Sequence, residues 1–126
     1  MASQQRVTVS QQGDVKILEL KIDYLVDYDV ADSLTDELIE AVGPQAGAKV
    51  VVDMGGIAFL SSVGYSPFIN LRSYIRKHDG LLILANMSEM IHEVFDATRL
   101  LINPSSPKSL FEYYPSVAEA VEVLRG

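Results

Sequence analysis

The chain of 126 residues contains no cysteine. That removes disulfides, thiol nucleophiles and cysteine-ligated zinc or iron-sulfur centres, and it fits a reducing compartment. Basic residues are scarce, ten Lys and Arg against 17 Asp and Glu for a formal charge of −7. This is the wrong sign for following a nucleic-acid backbone or an anionic lipid surface. No apolar run approaches the roughly 18 residues of a membrane-spanning helix. The polar stretch 1–13, with Arg6 as its basic residue, lacks the apolar core of a signal peptide, so the expected location is cytoplasmic. Catalytic machinery is also missing. His78 and His92 stand alone and are expected as exposed helix residues. There is no Gly-x-Ser-x-Gly elbow and no Gly-x-x-x-x-Gly-Lys phosphate loop, so no enzyme, cofactor or metal is implied.

What is present is a folding pattern. At 48% hydrophobic and 21% charged, the chain has the apolar content of a folded domain, and its length suits one domain over 1–126 with a flexible tail at 1–6. Alternating residues on either side of Gly13-Asp14 predict a hairpin. Val30, Leu34, Leu38, Ile39 and Val42 recur at helical spacing until Gly43-Pro44. Lys49-Val-Val-Val-Asp-Met reads as a strand covered on both faces, and Leu81-Leu-Ile-Leu-Ala as another. Between them Phe68, Leu71, Tyr74 and Ile75 mark a helix. Ser88 opens a third helix expected to reach Leu100. A short strand is expected at 110–113, and Ser116 caps a last helix bearing Val117, Ala120, Val121 and Leu124. Strands alternating with helices give an α/β domain: a mixed sheet of about five strands with about four helices.

In such sheets chemistry collects in loops at strand ends, which directs attention to Gly55-Gly-Ile-Ala-Phe-Leu-Ser-Ser-Val-Gly-Tyr-Ser-Pro. Ser61 and Ser62 precede Gly64 and a helix. A serine there caps the helix, or accepts a phosphate where free N–H groups and the helix dipole favour negative charge. The helix starts either at Ser62 or at Ser66, where the following Pro67 makes an orthodox first turn.

Val50-Val-Val-Asp-Met-Gly-Gly-Ile-Ala-Phe-Leu-Ser-Ser-Val-Gly resembles the signature of the STAS domain of bacterial anti-sigma-factor antagonists, in which a strand leads through an apolar pair to Asp-Ser-Ser/Thr-Gly at a helix start. The strand after Gly80, Asn86-Met-Ser-Glu-Met, and the closing Tyr-Pro-Ser-Val-Ala-Glu-Ala-Val are similar to the family's later elements. The resemblance implies a STAS-type fold and a protein that, unphosphorylated, binds an anti-sigma factor serine kinase and so releases a sigma factor. Phosphorylation of a loop serine ends that binding, and a PP2C-type phosphatase is the implied restoring partner. Carried over, the phosphoacceptor is Ser62, with Ser61 as the alternative. The partner-binding positions are Asp27, Ser61, Ser62, Val63, Gly64 and Tyr65, with Asp27 expected to hydrogen-bond the loop. The sequence departs from the family in having Ser61 for the acidic residue, Val63 for the second hydroxyl, and an insertion at 103–108.

Other readings are weighed against this one. A non-phosphorylated STAS scaffold or transporter-accessory module shares the architecture. A receiver domain accepting phosphate on Asp53 would need an acidic pair after the first strand and a lysine ending the last, and neither is present. Asp23, Asp27 and Asp29 form an acidic cluster without the glycine and glutamate spacing of a calcium loop. Tyr24, Tyr28 and Tyr65 are either interface aromatics around Asp27 or half-buried core. Arg72 and Arg76, four apart, either meet an acidic partner or form a solvated face.

Overall fold

The computed structural model describes residues 6–97 and 111–125. Residues 1–5 of the expected tail, the end of the third helix near Leu100, the segment 103–108 and Leu110 lie outside these residues, whereas Arg6, expected in the tail, is held by its carbonyl accepting the Lys21 amide at 2.7 Å and its own amide donating to Glu37 at 2.7 Å.

Around Gly13 (φ 60°) the chain reverses between β1 (Val7–Gln12) and β2 (Val15–Leu20), the predicted hairpin. The five-stranded sheet runs in the order β1-β2-β4-β6-β7, with β4 at Lys49–Asp53, β6 at Leu81–Ala85 and β7 at Glu112–Tyr114. β1 is antiparallel to β2 and the other pairs are parallel, so the sheet is mixed as expected. In this register Val51 lies between Ile17 and Ile83.

The alternation of each strand sends side chains to two cores. Leu18, Leu20, Val50, Val52 and Leu84 face α1 (Tyr28–Val42), α2 (Ser66–Lys77) and α3 (Glu89–Ala97). Val15, Ile17, Val51, Ile83 and Ala85 face α4 (Val117–Arg125), which contributes Ala120, Val121 and Leu124. The run Val50-Val-Val is apolar throughout because helices cover both of its sides.

Helix boundaries follow from identifiable caps. α1 begins two residues before the apolar stripe predicts, because the Asp27 carboxylate accepts the Val30 amide at 2.8 Å and sets the first turn. Its last turn has no basic residue, and Lys16 from β2 supplies the positive group, donating to the Ala41 and Val42 carbonyls at 3.0 and 3.1 Å. Ser88 and Ser116 accept the Ile91 and Glu119 amides at 3.3 and 3.2 Å, as the sequence predicts. The histidines differ from expectation, since both are half-buried. His78 ends α2 with its ring 4.4 Å from Tyr74, and His92 lies 4.9 Å from Tyr113. Each packs its ring against a neighbouring tyrosine.

Candidate functional site

Beyond the C-terminal ends of the parallel strands lies a second sheet of two very short parallel strands, β3 (Tyr24–Leu25) and β5 (Phe59–Leu60). Two residues each are too few to give a period, and the sequence did not announce them. The Asp23 carbonyl accepts the amides of Ala58 and Phe59 at 2.8 and 3.1 Å, and the Leu25 carbonyl accepts that of Ser61 at 3.1 Å. This stitching sets the entry of the serine loop beside the chain that leads into α1.

The loop then forms a 3-10 turn over Ser62–Tyr65 and passes directly into α2. Of the two starts open to the sequence, α2 takes Ser66, with proline in its first turn. Ser66 donates its hydroxyl to the Val63 carbonyl at 3.0 Å. Ser62 is the first residue of the turn rather than its cap. A tight approach makes the turn possible: a Cβ on Gly64 would stand 2.8 Å from both the Leu25 carbonyl oxygen and the Leu60 Cβ.

The two serines differ. Ser61 is half-buried, and its hydroxyl donates to the Val26 carbonyl at a long 3.4 Å. Ser62 is exposed and makes no hydrogen bond through its hydroxyl among the described residues. Val63 and Tyr65 are half-buried and Gly64 is buried. The Tyr65 ring packs 5.1 Å from Phe95, and its hydroxyl donates to the Val94 carbonyl at 3.3 Å. Asp27 is exposed, but its carboxylate bonds the first turn of α1 rather than the serine loop. The loop reaches that region through the neighbouring Val26 carbonyl, and the 3-10 turn packs against α1.

The tyrosines separate into two groups. Tyr65 belongs to the core, whereas Tyr24 and Tyr28 are exposed. Tyr24 stands 6.2 Å from Phe59, which is also exposed, as is Val26. Together they form an apolar rim next to Ser61 that sequence reasoning missed in Phe59 and Val26. A hydrophobic residue beside Leu60 reads as core, and only the pairing of β3 with β5 turns Phe59 outward. Asp53 is fixed by structural bonds, accepting from the Gly55 amide at 3.0 Å and the Asn86 side-chain amide at 2.9 Å. Among the described residues, no group of three or more His, Asp or Glu could hold a metal ion, and no helix is long and apolar enough to cross a membrane.

Several solved structures share this fold. An anti-sigma-factor antagonist (STAS) domain protein from Planctomyces limnophilus superposes with a TM-score of 0.76 at 17% identity, covering 95% of this chain and 98% of that one. The anti-sigma factor antagonist SpoIIAA in its unphosphorylated form gives 0.68 at 18% identity, covering 95% and 96%. The murine Slc26a9 anion transporter in the inward-facing state gives 0.75 at 17% identity, with 92% of this chain matching 18% of the transporter. A search of curated protein sequences found no significant match. The family model for the STAS domain matches residues 6–120, and the chain belongs to that family.

Proposed function

We propose that this protein is an anti-sigma factor antagonist that docks onto an anti-sigma factor serine kinase through the surface around Ser62, and that phosphorylation of Ser62 ends the docking. It acts by binding, with the phosphoryl chemistry done by its partner. The observation that carries the reading is the contrast between the two serines: Ser62 is exposed with an unpartnered hydroxyl at the head of a helical run, while Ser61 is half-buried and bonded to backbone. The exposed Tyr24, Val26 and Phe59 give the same face apolar area for a partner to cover. A phosphate adds about −1.5 to −2 charges, and a partner surface fitted to a neutral hydroxyl would have to desolvate them. The turn also packs against α1, whose cap Asp27 and first-turn Asp29 are exposed, so the added charge meets like charge nearby.

The test is incubation with a GHKL-type serine kinase and ATP followed by phosphosite mapping, together with capture of that kinase by wild type, Ser62→Ala and Ser62→Asp. Phosphate on Ser62, and capture by the first two but not the third, is the expected result. Phosphate on Ser61, or equal capture by all three, overturns the assignment.

A second reading, a non-phosphorylated STAS scaffold or transporter-accessory module, is favoured by one feature. Ser61 stands where the resembling antagonists carry an acidic residue before the serine. It predicts partner binding that no kinase alters.

A further inference from the structure

Of the eight Lys and Arg among the described residues, four have a local partner, and Arg125 lies near enough to Asp14 for its charge to act on that carboxyl. Arg6 pairs with Glu37 at 3.2 Å, Lys21 with Glu19 at 3.3 Å and Lys49 with Asp14 at 3.0 Å, and Lys16 is bonded to the end of α1. Arg72, Arg76 and Lys77, all on α2, make no ion pair among the described residues. The missing anion is not held elsewhere in the chain: all 17 Asp and Glu lie within the described residues, and 1–5 and 98–110 contain neither.

Arg76 and Lys77 sit in the last turn, where they complement the helix dipole. Arg72 lies a turn earlier, so the dipole accounts for it less well. It is half-buried, and burial together with the charge of Arg76 holds its guanidinium below its ordinary pKa, although it remains charged. Ile69, Arg72 and Arg76 follow one another at three- and four-residue spacing on one flank of α2, and Ile69 is itself exposed. The fold therefore keeps two mutually repelling guanidiniums, one partly desolvated, beside an exposed aliphatic side chain.

We infer that the Ile69, Arg72 and Arg76 flank of α2 is a docking strip for an acidic segment of the protein partner, whose carboxylates pair with both guanidiniums while an apolar side chain covers Ile69. The inference rests on the proposed function, because the strip lies on the helix that continues directly from the Ser62 turn. Charge complementarity selects the occupant. The strip covers about 10 Å of helix, a length matched by a short peptide segment. A nucleic acid or a bilayer would bring an extended polyanion against a chain of net charge −7. A fork-shaped guanidinium also suits bidentate pairing with a carboxylate.

The experiment is photo-crosslinking in cells with p-benzoylphenylalanine placed at Ile69, and separately at Tyr24, in the wild-type background and in Arg72→Gln/Arg76→Gln. The crosslinked peptides are sequenced, and thermal melts check that each protein is folded. The expected result is a crosslink from Ile69 into a peptide rich in Asp and Glu. Its yield falls about tenfold in the double variant, whereas the Tyr24 crosslink to the same partner persists. If the double variant does not fold, Arg76→Gln alone, at an exposed position, serves in its place. Crosslinks from Ile69 to nucleic acid, lipid or a peptide without acidic residues overturn the inference, as does a yield that survives loss of the charges. Silence at Ile69 with capture at Tyr24 overturns the strip and leaves the proposed function standing. Silence at both positions removes both.

Discussion

In the five-stranded sheet Val51 sits between Ile17 and Ile83 with none of its surface exposed, whereas Tyr24 and Phe59, paired across the two-stranded sheet, keep 60% and 45% of theirs in solvent. Both sheets place apolar residues in register, but only the first has helices over both faces. The same residue types thus serve as core in one region and as contact surface in the other. The difference lies in what covers them.

The contrast is most directly broken by truncating an aromatic on each side. Phe95 is fully buried, with Tyr65, Phe68 and Phe111 around its ring. Phe95→Ala is expected to cost about 3–5 kcal/mol in urea unfolding. Phe59→Ala should stay within about 0.5 kcal/mol, because its ring is largely solvated already, and should instead weaken partner capture. Similar losses of stability from the two substitutions would mean that the two-stranded sheet is part of the core.

Gly64 is where the two regions touch. Its missing Cβ lets the serine turn lie against the Leu25 carbonyl and Leu60. Gly64→Ala puts an atom into that contact, and overpacking of this kind costs about 1–3 kcal/mol. The turn should also shift, visible as amide chemical-shift changes concentrated at 61–66 and in β3. Unfolding and spectra unchanged from wild type would show that the turn is free to move away from Leu25.

The scaffold was far more legible in the sequence than this junction. Val50-Val-Val and Leu82-Ile-Leu announce buried strands, and Gly13-Asp14 announces the hairpin, because each pattern is local and several residues long. Ser62 was reached through a resemblance, and spacing alone left a capping role open. Neither β3 nor β5 has enough residues to alternate, and the exposure of Phe59 depends on pairing with a strand distant in sequence. Asp27 carried a readable signal, an acidic residue three before Val30, yet α1 was expected to begin at Val30 because the apolar stripe starts there. Its carboxylate shows how one residue can shape the site region through the backbone.

A smaller effect follows at that residue. Asp27→Ala removes the acceptor for the Val30 amide and is expected to destabilise by about 1 kcal/mol, with Asp27→Asn recovering most of the loss. If Asp27 also contacts the partner, the asparagine variant will fold as wild type yet bind less well. Measuring stability and capture on both variants separates the two roles.

The smallest expected effect lies at the opposite end of the strands, where the exposed Asp14 pairs with the half-buried Lys49 at 3.0 Å. The Lys49 hydrogen bond is the main cause that holds the Asp14 carboxyl below its ordinary value. A carboxyl lowered in the folded state stabilises above its unfolded pKa, and that contribution is lost as pH falls through the folded one. Lys49→Gln should therefore move the Asp14 titration upward, read by NMR of its side-chain carboxyl. Solvent screening should leave stability at neutral pH nearly unchanged. An unmoved titration would assign the shift to the turn's own backbone amide and the charge of Arg125, and would make the pair a contact without energetic weight.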